Sequence, residues 1–399
     1  MKCIAATAKR ELKYILSNRR LLFVILFVPV FYTFLFGYLY SEHTVKGIKT
    51  AVIDYNKTQL SRSVIDAFNK SDRFQLVTIL QHEDQLPPLM EKGTADAALV
   101  IPKDFDKSVL RGEEAPILIV VNGSNMIISN SVTTNALQII QSISSGIAAK
   151  KAQAGGLPFV QALNQINPVS FRIRTWYNPA YNYTNFLLLG LIATAIQQIT
   201  LLYVAVAAAR EKESGTLMEL QNLPGSSLSK VIGKTAPYFL INSLTLLLSL
   251  ASARFVFAVP FRGELLAVLV LCIVFLITIV SLGIFLSLIC RNELEATQIA
   301  MLIAMPSFLF SGYTWPLQAM PLPCQWLAKI LPLTYFAPAL RKIAIMGLGL
   351  EGISHELKIL ALMGAVLFPL AVAVYKVKYE RPLAREEASV KSIGKEARV

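Results

Sequence analysis

The sequence predicts an α-helical polytopic membrane protein with six transmembrane helices and an inserted α/β extracytoplasmic domain. Hydrophobic residues fill 54% and charged residues only 16% of the 399 positions, and the mean hydropathy is +0.54, which is too apolar for a soluble chain of this length. Six apolar runs reach the ~20 residues that a helix needs to cross the hydrocarbon layer. Between the first and second runs lies a polar stretch, residues 42–183, in which strand-like and helix-like patterns alternate.

Residues 1–20 come first. Ile4, Ala8, Leu12, Ile15 and Leu16 recur at helical spacing while Lys9, Arg10 and Lys13 fall on other faces, the pattern of an amphipathic helix lying along the inner membrane surface. Residues 21–41 form the first span. The run exceeds a signal-peptide core and no small-residue cleavage site follows it at 41–46, so it is read as retained. Spans two to six fall at 184–209, 235–253, 265–290, 296–315 and 357–375, within the stretch 184–375. The proline-broken segment 316–336, with Pro321, Pro323 and Pro332, reads as a re-entrant or interfacial helical pair on the outer side. Arg254 sits at the outer end of the third span, where its long side chain snorkels.

Charge sets the orientation. Lys2, Lys9, Arg10, Lys13, Arg19 and Arg20 stand against Glu11 alone at one end, and the tail 376–399 carries seven basic residues against four acidic. Six crossings put both ends on one side, and the positive-inside rule makes that side the cytoplasm. The formal charge of +13 therefore faces anionic headgroups of the lipid bilayer, not nucleic acid. The stretch 42–183 is nearly balanced, with 14 basic and 12 acidic residues. Strands are expected there at 48–54, 74–80, 95–101 and 116–121, and helices at 60–69, 104–110 and 125–151.

Motifs for catalysis are missing. Cys3, Cys272, Cys290 and Cys324 are scattered without ligand spacing, and His43, His82 and His355 have no nucleophile or acid partner in a recognisable motif. Gly233, Lys234 and Thr235 imitate the end of a phosphate-binding loop, but the required earlier glycine falls on Leu228 and no strand precedes it, so no nucleotide site or cofactor is expected in this chain. No Asp or Glu falls well inside a span, which argues against ion-coupled transport. The polar groups there are neutral: Gln197, Gln198, Asn242, Thr245 and Ser281. Hydrogen bonding between spans accounts for such groups, and Gln197, Gln198 and Asn242 are the candidates for a translocation path. Ala296, Ala300 and Ala304 form a small-xxx-small ridge for close helix packing.

The segment 210–234 separates the second and third spans on the cytoplasmic side. Glu211, Lys212, Glu213 and Glu219 alternate in sign, Leu217, Met218, Leu220 and Leu223 give an apolar side, and Pro224 and Gly225 stop the helix. At this segment the sequence resembles the type-2 permeases of ATP-binding cassette exporters, in the branch with a large outer domain between the first two spans. The residues that carry the resemblance are REKESGTLMEL from 210, GKTAPY from 233, RTWYNPAYNYTNF from 174 and SGYTWPLQAMPLPCQWLAKILPLTYF from 311. In the outer stretch AVIDYNKTQLSRSVIDAF, GTADAALVIPKDF and NGSNMIISNS follow in order. QNLPGS at 221–226 departs from the Thr-Pro pair of many members.

The resemblance implies a bacterial cytoplasmic (inner) membrane protein, an exporter of an amphipathic compound, a drug-like molecule, lipid or polysaccharide. Two permeases, identical or close paralogues, would enclose a pathway, and separate ABC ATPase subunits would use ATP and Mg; a periplasmic membrane-fusion adaptor often takes part. It assigns coupling to the ATPase to Arg210, Glu211, Lys212, Glu213, Gly215, Thr216, Leu217, Glu219 and Leu220. Leu217 and Leu220 are expected to supply contact area, and Glu213 and Glu219 to set orientation. The alternative reading is a membrane-bound sensor or receptor with an extracytoplasmic ligand-binding domain; six spans and no cytoplasmic signalling domain weigh against it.

Overall fold

The computed structural model describes residues 2–42, 45–111, 113–154, 176–179, 181–221 and 223–380. Most of the expected tail, 381–399, lies outside these residues. The chain divides into two compact units, one formed by Met1–Ser41 with Trp176–Val399 and the other by Glu42–Thr175.

The first unit is helical. α1 (Lys2–Ser17) is separated from α2 (Arg19–Leu39) by Asn18, whose side chain accepts the Leu21 N–H and caps the new helix. Within the second unit come α3 (Gln59–Lys70), α4 (Leu86–Glu91), α5 (Phe105–Arg111) and α6 (Met126–Ala154). The chain then returns through α7 (Tyr183–Glu213), the short α8 (Leu217–Gln221), α9 (Ser227–Phe255), α10 (Leu265–Ile289), α11 (Glu293–Phe310), α12 (Leu322–Ile330), α13 (Leu333–Met346) and α14 (Ser354–Tyr375). Among the described residues six helical stretches are long and apolar enough to cross a membrane: Arg19–Leu39, Tyr183–Glu213, Ser227–Phe255, Leu265–Ile289, Glu293–Phe310 and Glu351–Glu380.

Helix ends depart from hydropathy where polar residues cap or continue them. α7 runs to Glu213 and α9 begins at Ser227, capped by Ser226, so only a short linker with the single turn α8 remains where an amphipathic helix of the 210–234 segment was expected. At the other end of α7, Asn182 accepts from the backbone of Thr184 and Asn185 and exchanges hydrogen bonds with Asn178. Residues from Trp176 onward group with the helical unit, whereas the expected boundary lay at 183. The proline-broken segment also differs. Its second helix, α13, continues to Met346 and is core, with Leu333, Phe336, Leu340 and Ile343 fully buried and Phe336 stacked on Phe275 of α10 at 3.8 Å. Only α12 keeps an exposed apolar side.

α7 is the central helix, packed by α2, α10, α11 and α13. Ala296, Ala300 and Ala304 of α11 are all buried, and α11 lies on α7. Small side chains at i, i+4 and i+8 let the two backbones approach.

The second unit holds a four-stranded sheet in the order β2-β1-β3-β4, from β1 (Ile48–Asp54), β2 (Phe74–Leu80), β3 (Ala97–Ile101) and β4 (Leu118–Val121). β1 runs parallel to β2 and β3, and β4 antiparallel to β3. The buried centre explains the unbroken apolar run of β3. One face packs Leu99 and Ile101 against Val64 and Phe68 of α3 and Val132 and Ala136 of α6. The other packs Ala51 and Ala98 beneath α4, a helix absent from the sequence-based expectations whose Pro87 and Pro88 stand in its first turn, where prolines are tolerated.

Candidate coupling site

α1 has a buried side and an exposed side. Thr7, Glu11 and Ile15, spaced four residues apart, are buried, and α1 packs mainly against α9. Leu12 and Leu16, expected on its apolar face, are exposed. Lys9 and Lys13 share that exposed side, Lys9 standing seven residues before Leu16. The protein-packed side therefore carries an acidic residue at its centre.

Glu11 is the pivot of a chain of ion pairs with alternating sign. Its Oε1 lies 3.2 Å from Arg210 Nη2 and its Oε2 3.0 Å from Lys234 Nζ. Lys234 Nζ is also 2.9 Å from Glu211 Oε2, an ionic contact without hydrogen-bond alignment. Glu211 Oε1 accepts from Arg10 Nη2 at 2.9 Å, and Arg10 reaches Glu219 at 3.7 Å. The series Arg210, Glu11, Lys234, Glu211, Arg10, Glu219 thus stitches α1, α7, α9 and α8 together. It begins in the interior, where the Glu11 and Lys234 side chains are each 3% exposed, and ends at the surface. Tyr238 donates its hydroxyl to Glu11 Oε1 at 2.8 Å, and the Arg210 guanidinium lies 3.5 Å over the Tyr14 ring.

Burial pushes the Glu11 carboxyl up. The charges of Lys234 and Arg210, with hydrogen bonds from Lys234 and Tyr238, outweigh it and hold the group below its ordinary value of 4.5. Removing one partner from such a buried set leaves an uncompensated charge, at a cost of about 3–5 kcal/mol.

The Gly233-Lys234-Thr235 triplet has its explanation here. A Cβ on Gly233 would stand 2.8 Å from the Ile4 carbonyl oxygen and 2.6 Å from Thr7 Cβ, so glycine is what lets α1 lie on α9. Lys234 is engaged by Glu11 and Glu211, and Thr235 donates to the Val231 carbonyl.

The other residues of the coupling segment divide between interior and surface. Lys212 Nζ donates to the carbonyls of Ser287, Leu288 and Cys290 and closes the C-terminal end of α10. Glu213 is exposed and accepts the backbone N–H of Glu293 at the start of α11. Gly215 turns the chain at φ +71° after α7. The Thr216 carbonyl accepts from Arg10. Leu217 and Leu220, expected to offer contact area to a partner, are instead 7% and 1% exposed and pack with Ile15, Val231, Leu288 and Tyr375 in this chain's own core. Their apolar periodicity is satisfied by α1 and α9. Met218, between them, is 68% exposed, and Glu219 is largely exposed as well.

The three polar residues of the spans also separate. Asn242 is fully buried, accepts from Thr200 at 2.9 Å and donates to the Tyr238 carbonyl at 2.8 Å, so it is occupied in joining α7 to α9. Gln197 is buried, and neither of its amide atoms has a hydrogen-bond partner among the described residues. Gln198 is half-buried. Among the described residues no group of three or more His, Cys, Asp or Glu is placed to hold a metal ion.

Glu11 and Arg10 were missing from the sequence-based candidates. The available signal was a lone acid in a basic helix, one turn from Thr7 and one from Ile15, on the side that also carries Ile4.

Comparison with known proteins places these residues in context. Residues 19–373 match the profile of the ABC-2 family transporter protein. The chain is 26% identical to the probable multidrug ABC transporter permease YbhS of Escherichia coli K12, over 86% of this chain and 89% of that one. It is 24% identical to the inner membrane transport permease YhhJ of the same organism, over 92% and 95%. ABC transporter G family member 20 of Dictyostelium discoideum is 27% identical over 54% of this chain and 30% of its own length.

The ion-pair series gives a first prediction. Glu11→Gln and Gly233→Val should each release α1 from α9, the first by about 3–5 kcal/mol of lost stability and the second by steric exclusion. A cysteine placed at Thr7, in a background lacking the native four, should pass from protected to reactive in both. Because the Glu11 carboxyl is depressed, its contribution is complete above its unfolded value of about 4.5 and is lost as pH falls through the lower folded value. Acid exposure of Thr7 should therefore set in only below pH ~4.5 and be absent near neutrality. Protection of Thr7 unchanged in both variants would show that the ion pairs do not hold α1.

Proposed function

This chain belongs to the ABC-2 family of transporter proteins, and from that membership we propose the whole of its working assembly. It is a multi-pass membrane protein and the permease subunit of an ATP-binding cassette exporter, as the family match over 19–373 and the permease relatives indicate. The observation that carries this reading is the match across all but the ends of the chain. The sensor alternative receives no support from any relative.

The finer reading is as follows. Two permeases, identical or paralogous, form the pathway, and two ABC ATPase subunits using ATP and Mg drive it from the cytoplasm. Cargo is an amphipathic compound, and the name of YbhS, a probable multidrug permease, supports a drug-like one. Both termini are cytoplasmic and the unit Glu42–Thr175 is extracytoplasmic, which the basic ends support. α1 lies in the inner interface with Leu12 and Leu16 toward lipid. Gln197 and Gln198 face the cargo route; the unpartnered amide of Gln197 supports this, since a buried polar group without a partner is costly.

In this assembly the ATPase meets the exposed residues of the coupling segment, Glu213, Met218 and Glu219, and not Leu217 and Leu220. An impulse on Glu219 or Met218 passes to Arg10 and Glu211 and then, through Lys234 and Glu11, to α9 and α1.

Two measurements check the reading. With the ATPase co-expressed, Met218→Asp should lower its co-purification with the permease at least about fivefold, while the permease keeps its thermal stability. Leu220→Ala should destabilise the permease itself by about 2–5 kcal/mol. Undiminished ATPase recovery with Met218→Asp would move the docking face elsewhere. For topology, single cysteines at Ser71 and Ser226 are exposed to an impermeant thiol reagent on intact spheroplasts; Ser71 should label and Ser226 should not, and the reverse would invert the orientation.

A further inference from the structure

The second unit contains a cleft of about 410 Å³ between α5, the extended segment 113–117 that leads into β4, and α6. Ile140, Ile143 and Ile147 stand at i, i+3 and i+7 on α6 and make one apolar wall. Phe105 and Ile117 face it from the other side. The walls thus come from three elements. The volume lies in the range of small-molecule pockets and not of a long peptide groove.

At the cleft stand two consecutive carboxylates, Glu113 and Glu114. Both residues are exposed, and among the described residues neither is in an ion pair. The Glu113 N–H donates to the Ser108 carbonyl at 2.9 Å, which fixes the backbone that carries the pair to the end of α5. Among the described residues no lysine or arginine lines the cleft. The nearest cations along the chain, Arg111 and Lys107, make no ion pair with either acid, and Lys107 lies 3.6 Å from Asp104.

Two consecutive acidic residues without an ion pair among the described residues make the mouth of the cleft negative, which favours a cation there. An apolar wall beside them rewards a ligand whose body is hydrophobic. A neutral apolar molecule would leave the charges as they were, and an anion would be repelled. We propose that this cleft binds an amphipathic organic cation, with its apolar body against Ile140, Ile143 and Ile147 and its positive charge toward Glu113 and Glu114. The site belongs to the second unit alone and does not rest on the exporter reading, because it needs neither ATPase nor transport.

The test uses the purified full-length chain in nanodiscs, without ATPase, and measures tetraphenylphosphonium by equilibrium dialysis. Binding should saturate, and the isosteric anion tetraphenylborate should show no matching saturable site. Glu113→Gln with Glu114→Gln should weaken the cation's affinity about tenfold, the sum expected of two wet carboxylates. Ile143→Trp should abolish binding by filling the cleft. Circular dichroism identifies any variant that fails to fold, and the Glu pair, being exposed, keeps the test decisive if Ile143→Trp does. Equal tetraphenylphosphonium affinity in wild type and in the folded double variant would overturn the proposal, as would equal saturable binding of tetraphenylborate. Either result leaves the permease reading intact, whereas loss of export with binding preserved would bear only on that reading.

Discussion

A carboxylate buried between Lys234, Arg210 and the hydroxyl of Tyr238 decides how the end of the helical unit that carries α1 is built. Glu11 could not be ionised there without its cations, and the cations could not be buried without it. The arrangement of α1, α7 and α9 follows from satisfying all of them together. Gly233 supplies the close approach, Ile15, Leu217 and Leu220 supply apolar contact around the charges, and Tyr14 covers Arg210. Because the charges alternate in sign from the interior to Glu219, neighbouring links screen one another. No single charge is left facing the apolar core alone.

That design bears on function. A loop resting on lipid by its apolar side could tilt without moving the spans. Here the C-terminal end of α7 is tied to α9 through Glu211 and Lys234 and to α1 through Arg10, and Lys212 and Glu213 tie the same end to α10 and α11. On the proposed reading, a partner that displaces Met218 and Glu219 displaces four helix ends at once. Buried ionic links suit such a task better than apolar contact alone, because their geometry is directional and misregistry leaves a charge unpaired.

The spans were legible because a hydrocarbon solvent leaves one strong signal, a long apolar run, and the strands of the second unit were legible because Ile48–Asp54 and Phe74–Leu80 are bounded by turn residues and rich in β-branched side chains. The helix ends were less so, since Ser226 and Asn182 cap from polar sequence that hydropathy assigns to loops. Most of the coupling site was hidden for a different reason. Periodicity says that Leu217 and Leu220 want an apolar partner but not which one, and the partner is Ile15, two hundred residues away. Lys234 sits in a triplet that imitates phosphate binding, and nothing local says that its counter-ions are residues 11 and 211. Asn242 shows the same limit: its polarity in a span was visible, whereas its partner Thr200 was not.

The central claim is that Glu11 and Lys234 hold α1 on α9 by their mutual attraction, and a double-mutant cycle tests it most directly. Glu11→Gln, Lys234→Met and the double variant are compared with the wild-type chain by thermal unfolding in nanodiscs, with Thr7 cysteine reactivity as the local readout. Each single variant should destabilise strongly, and the double variant should recover a coupling of about 1–3 kcal/mol, with Thr7 partly protected again. Strictly additive losses, with Thr7 as exposed in the double variant as the sum of the singles, would contradict the account.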